Sequence, residues 1–191
     1  YTKTSYTNDS KGRHWDEENK ILYYDLSTDA QTVPNNLITY APPSNYRCEV
    51  KLPADSTIYF YSRYAGRVDD RFSLTFNGTD QTFFYGEGDL TIAGFAHLQV
   101  YMSGTSQSSS FIRCEGTLTF SDDDYIIENA GIDDTCKQFF IAPNIVVNGS
   151  INLKTCSGGT VFNSDNVILN SSLHCTAAVD GSVPVEITDY S

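Results

Sequence analysis

The chain has 191 residues, a mass of 21.2 kDa and a pI of about 4.4, which is room for one domain or two small ones around a buried core. Twelve Lys and Arg stand against twenty-four Asp and Glu, a formal charge of −12, which argues against a nucleic-acid backbone or an anionic membrane as partner. No stretch approaches ~18 apolar residues, so no membrane insertion is expected, and an opening Tyr1 in place of Met is what a processed product would show.

Thirteen Tyr and eleven Phe against one Met and one Trp form a strand-favouring aromatic set. The best helical candidate, Trp15 to Leu22, has only Trp15, Ile21 and Leu22 for an apolar face. An all-β chain with at most a turn or two of helix is therefore expected. In chain order, Ile21–Tyr24, Leu37–Tyr40, Tyr46–Leu52, Thr57–Tyr61, Phe72–Phe76 and Thr82–Tyr85 alternate or run apolar for strand lengths. Pro42-Pro43 breaks the chain after the second of these, and Asn77-Gly78 suggests a hairpin between the last two. Residues 1–85 thus read as an antiparallel β region.

From residue 86 the texture changes. Tyr125–Ile132, Asn144–Ile151 and Asn166–Leu173 each carry a β-branched pair, an Asn (129, 148, 170), two small residues and an aliphatic. Gly88–Ile92, Gly116–Phe120 and Gly149–Leu153 echo one another in a second pattern. A repeat near twenty residues with strand-like content is what stacked coils require, so residues 86–191 read as a short parallel β-solenoid. Inward aliphatics would stack from coil to coil, and Asn129, Asn148 and Asn170 would form a corner ladder. The alternative is a β-sandwich or jelly roll throughout. In architecture alone the solenoid half resembles the parallel β-helices of surface adhesins, phage tail proteins and polysaccharide lyases. No motif residue carries over from that likeness.

The five cysteines form no C-x-x-C pair, which removes a zinc reading. Cysteines one coil apart would lie close enough to bond, so Cys114 with Cys136 and Cys156 with Cys175 are disulfide candidates. Cys48 is left free or intersubunit. The sequons at Asn8, Asn77, Asn148 and Asn170 are glycosylation candidates.

Asp69-Asp70, Asp122–Asp124 and Asp133-Asp134 read as solvated turns. Calcium at Asp122, Asp124 and Asp133 is the alternative, and the only cofactor the sequence admits, because these oxygens suit a hard cation. Tyr59, Tyr61 and Tyr64 beside Arg63 are ligand-contact candidates, since rings stack on sugar faces while polar groups take the hydroxyls. No nucleophile elbow, P-loop or dinucleotide fingerprint occurs.

The expectation is a non-enzymatic structural or adhesive protein, extracellular, cell-surface or virion-surface, and a subunit of an oligomer, filament or fibre. Its partners would be copies of itself or neighbouring surface proteins, with glycans as a further class. The rivals are a carbohydrate-active enzyme using Asp122–Asp124 with Asp133 or Asp134, and a lectin-like module.

Overall fold

The computed structural model describes residues 13–26, 47–61, 72–77, 81–94, 96–103, 110–129, 138–154, 160–171, 173–175 and 185–187. Among these the protein is all-β, with no helix. The chain opens with β1 (Arg13–Asp16), β2 (Ile21–Asp25) and β3 (Arg47–Leu52). It then runs through β4 (Ser56–Tyr61), β5 (Phe72–Asn77) and β6 (Gln81–Gly86), followed by β7 (Leu90–Gly94), β8 (Ala96–Ser103) and β9 (Ser110–Cys114). Next come β10 (Thr117–Phe120), β11 (Asp124–Asn129) and β12 (Gln138–Ile141), and β13 (Asn144–Val147), β14 (Ser150–Lys154) and β15 (Thr160–Ser164). The last three are β16 (Asn166–Leu169), β17 (Leu173–Cys175) and β18 (Val185–Ile187).

These strands fall into three sheets, ordered β1-β2-β4-β7-β10-β13-β16, β5-β8-β11-β14-β17 and β3-β6-β9-β12-β15-β18. From β3 onward each strand pairs in parallel with the strand three places later, so the chain visits the sheets in rotation and returns to the first one strand further along. We call one such rotation a circuit.

The alternation seen in the sequence is what faces the core. β4 buries Ser56, Ile58 and Phe60 and leaves Thr57, Tyr59 and Tyr61 half-covered. β7 and β10 do the same with Leu90, Ile92, Leu118 and Phe120. Register then stacks like on like. Leu22, Ile58, Ile92, Phe120, Val147 and Leu169 occupy successive positions along the first sheet.

Phe120 is the ring where the sheets meet. It lies edge-on to Tyr125 of the second sheet at 5.4 Å and to Phe140 and Phe162 of the third at 5.0 and 5.9 Å. Phe140 and Phe162 in turn stack along the sheet at 5.7 Å. In the third sheet alternation fails, because Thr82, Phe83 and Phe84 are buried in succession, as are Ser110, Phe111 and Ile112. The buried hydroxyls there pair with each other, Thr82 Oγ1 to Ser110 Oγ at 2.7 Å, which meets the requirement that buried polar atoms be bonded.

Corners are made by close backbone approach. Gly94 has φ of 80°, and a Cβ there would sit 2.0 Å from the Phe60 carbonyl oxygen, so only glycine fits. Its N–H donates to Asp123 Oδ2 at 2.9 Å, which ties this corner to the one a circuit later.

Several expectations change. Among the described residues, the antiparallel pairing expected over residues 1–85 is found only between β1 and β2; β2, β3, β4, β5 and β6 pair in parallel with strands of later circuits. Alternation along a strand marks a face and carries no sign of direction, so this error is intrinsic to the signal. Asn77-Gly78 makes no hairpin, since β5 and β6 belong to different sheets. Trp15–Leu22 forms the β1–β2 hairpin, with Lys20 at φ of 53° in its turn. The strand expected at Leu37–Tyr40 lies outside the described residues.

Asn129 does not join the asparagine ladder, because β11 sets it opposite Val100. Asn148 and Asn170 do bond, Asn170 Nδ2 donating to Asn148 Oδ1 at 2.8 Å, and an unforeseen second rung links Asn166 to Asn144 at 3.1 Å. Both rungs are exposed, on the outer face.

Phe120→Ala is expected to lower the unfolding free energy by about 3–5 kcal/mol, because three neighbouring rings lose their partner. Thr119→Ala, on the outer face, is expected to stay within about 0.5 kcal/mol. Urea denaturation of the two variants side by side checks both.

Candidate functional site

The outer face of the first sheet carries a strip of aromatic side chains, half-buried at His14, Tyr59 and Tyr61 and buried at Tyr23. His14 of β1 stacks on Tyr23 of β2 at 6.3 Å, Tyr23 meets Tyr59 of β4 edge-on at 5.7 Å, and Tyr59 lies 6.3 Å from Tyr61. The register explains the strip. Tyr23 and Tyr59 are paired residues on adjacent parallel strands, and Tyr61 follows two positions on, so all three project to one side. Burial raises the Tyr59 phenol above its ordinary value, with the Asp123 carboxylate and Tyr23 adding to the effect. Tyr59 is thus held as a neutral hydroxyl beside a carboxylate. Tyr59 and Tyr61 come together as the sequence suggested; Arg63 and Tyr64 lie outside the described residues. Tyr23 and His14 are additions that no local motif announced, since they reach the strip only through inter-strand register.

The aspartates do other work. Asp123 accepts the Gly94 N–H and the Ser121 hydroxyl, and the Tyr125 hydroxyl lies 2.7 Å from that same Ser121 Oγ and 3.0 Å from the Ile92 carbonyl oxygen, either of which can accept its proton. Asp89 anchors the preceding circuit in a similar way, accepting the Thr117 N–H at 2.7 Å. Asp122 and Asp124 are exposed, and Asp124 accepts the Ser150 hydroxyl. Asp133 and Asp134 lie outside the described residues, and among those described no three His, Cys, Asp or Glu side chains converge as a metal site.

A second feature has no counterpart in the sequence reading. Arg113, Glu115, Pro143, Ser164 and Asp165 line a shallow groove of about 180 Å³ where the third sheet turns into the first. Glu115 accepts the Tyr85 hydroxyl at 3.0 Å and faces Arg113 at 3.9 Å. The lining comes from three circuits, so no short stretch of sequence contains it.

The register also bears on the cysteines. Cys114 is a free, buried thiol at the end of β9 whose partner across the sheet is Gly86. Ser110 faces Gln138, an offset of 28 residues in this sheet, so the 22-residue spacing from Cys114 to Cys136 does not match a circuit. Cys175 faces Leu153, three residues short of Cys156. The premise that one coil of spacing aligns neighbouring cysteines therefore fails. Cys136 and Cys156 lie outside the described residues, as do the side chains of Cys48 and Cys175. Of the sequon asparagines, Asn148 and Asn170 are the bonded outer rung, Asn77 ends β5 and Asn8 lies outside the described residues.

No family model matches the chain, no curated protein is significantly similar to it, and no solved structure gives a significant match.

Burial pushes the Cys114 thiol up to about 12, with a backbone hydrogen bond at Gly116 opposing and Asp89 and Glu115 adding. The folded state thus keeps this proton after the unfolded chain has lost it. Its stabilisation is whole below the ordinary thiol value of 9.0 and declines as pH rises from there toward about 12. Unfolding free energy is expected to fall as pH rises from about 9 to about 10.5, and Cys114→Ala to flatten that fall, as urea titrations at each pH would measure.

Proposed function

We propose that this is a non-enzymatic structural or adhesive protein of an extracellular, cell-surface or virion-surface setting. On this reading the circuits are a parallel β-solenoid, and the chain works as a subunit of an oligomer, filament or fibre. The observation that carries the proposal is the repeated parallel pairing of each strand from β3 onward with the one three places later. Stacked parallel circuits bury their core only against neighbours, an architecture that association of like circuits extends. Residues 122–124 support this assignment over catalysis, since Asp123 is committed to backbone and hydroxyl donors at a corner. The extracellular setting rests on the four sequons and on a polarity carried by Ser, Thr and Asn.

A glycan-binding module is the second reading, favoured by the half-buried Tyr59 and Tyr61, which lie 6.3 Å apart against the buried Tyr23. Rings set side by side on a rigid sheet offer stacking faces to successive sugars, and the phenols offer donors.

Light scattering and electron microscopy of the 191-residue chain test the first reading. Particles heavier than 21.2 kDa are expected, and a monomer at every concentration would overturn it. A glycan array tests the second. Any glycan bound is expected to lose at least tenfold in affinity with Tyr59→Ala, and a blank array removes that reading.

A further inference from the structure

We propose that Asn148-Gly149 is a site of spontaneous covalent modification, deamidation with isomerisation of the backbone, which the folded corner holds shut and an opened chain releases. The step needs nothing beyond the chain but water. The Gly149 amide nitrogen attacks Asn148 Cγ and gives up its proton, the Cγ–Nδ2 bond breaks, and ammonia leaves behind a five-membered succinimide. Water then opens the ring at one of its two carbonyls. Opening at Cγ gives aspartate, and opening at the main-chain carbonyl gives isoaspartate. Glycine in the second position makes the dipeptide reactive, because no Cβ stands beside the attacking nitrogen. The chain has two such dipeptides, Asn77-Gly78 and Asn148-Gly149, and the second lies wholly within the described residues.

β13 ends at Val147 and β14 begins at Ser150, so this pair is the whole corner between the first and second sheets. Asn148 is held twice. Its N–H donates to the Phe120 carbonyl at 3.0 Å, and its Oδ1 accepts Asn170 Nδ2 at 2.8 Å. The amide is thus engaged across the sheet with the next circuit, and Cγ has to leave that rung before it can close on Gly149. Gly149 is buried against the preceding circuit, where a Cβ would lie 2.0 Å from the Asp123 carbonyl oxygen and 2.5 Å from that of Ser121. Backbone packed this closely cannot turn its nitrogen onto Cγ without lifting the corner. Ser150 fixes the other side, donating its N–H to the Asp123 carbonyl at 3.1 Å and its hydroxyl to Asp124 Oδ1.

Reaction therefore runs through opened chains, and its rate follows their population. The two products differ in what they leave. Asn148 enters its rung as an acceptor, so aspartate at 148 can still take the Asn170 N–H. Isoaspartate routes the main chain through the side-chain carbonyl, which adds a methylene to the backbone. That extra length falls where Gly149 has no room to move, just before β14 has to enter its register of Ile151 against Tyr125. Opening is reversible until this happens and irreversible afterwards.

The test uses the full chain from a host without N-glycosylation, since Asn148-Gly149-Ser150 is also a sequon and a sugar on Nδ2 would change the leaving group. Samples at mildly alkaline pH, native and in guanidinium chloride, are followed by peptide mass, with isoaspartate identified by fragmentation. In denaturant, position 148 is expected to convert at the rate of position 77, its built-in reference. In native buffer, conversion at 148 is expected to be slower by about a hundredfold or more. Asn170→Ala removes the rung at an exposed residue. It is expected to speed native conversion at 148 about fivefold, the worth of one hydrogen bond, with an unchanged circular dichroism spectrum. Asn148→Asp is expected to fold, whereas chains carrying isoaspartate at 148 alone are expected not to regain the native spectrum on dilution from denaturant. A native rate at 148 equal to the denatured rate would overturn the protection. Position 148 remaining intact in denaturant while 77 converts would overturn the site, and isoaspartyl chains that refold like unmodified ones would overturn the irreversibility.

Discussion

Aromatic rings from all three sheets meet in one core, and the fold depends on that packing. Phe120 leaves the first sheet and reaches Tyr125 on the second and Phe140 and Phe162 on the third, so one side chain fixes the separation of all three walls. Rows of Phe above and below it, with Phe140 stacked on Phe162 and Phe83 on Phe111, hold the same width from circuit to circuit. The rings supply area burial and the edge-to-face geometry that aromatic pairs prefer. With the cross-section set in this way, every parallel register has to stack inward residues of similar bulk.

The outer surface follows from the same register. Side chains that do not enter the core stand in rows along the sheets, and each row takes the character of its residues: Tyr23 beside Tyr59, Asn144 beside Asn166, Asn148 beside Asn170. Polar rows bond along the sheet and aromatic rows offer faces to a ligand. Corners are held separately, by carboxylates such as Asp89 and Asp123 that accept backbone N–H groups a circuit away. Gly149 closes one of these corners, where a Cβ would lie 2.0 Å from the Asp123 carbonyl oxygen.

Alternation or a short apolar run made β2, β4, β5 and β6 legible in the sequence, and the match of Leu90–Ile92 with Leu118–Phe120 is a true register pair. Three things were hidden. Strand direction leaves no trace in a face pattern. The repeat period drifts: the first sheet pairs Ile21 with Thr57, Leu90 with Leu118, and Ile145 with Val167, offsets of 36, 28 and 22 residues. A constant period near twenty was therefore correct only at the end, and it drew Ile127 into line with Val146, although Val146 faces Thr119 and Ile168. The candidate surface was half visible, because Tyr59 and Tyr61 are neighbours in sequence while Tyr23 and His14 join them only across strands.

That drift in offset separates two kinds of insertion. The strands keep four to six residues in the first sheet while the distance between paired residues shrinks by fourteen, so the surplus lies in the connections. By the logarithmic law for loop closure, lengthening a connection from 22 to 36 residues costs about 0.4 kcal/mol, roughly a factor of two in an equilibrium. One residue added inside β10 would instead turn Leu118 and Phe120 outward and bring Thr117 and Thr119 in. Lineages of such a chain are thus free to vary where it turns and constrained where it runs straight. Foreign segments, epitopes or tags grafted between strands would leave the rows of rings undisturbed.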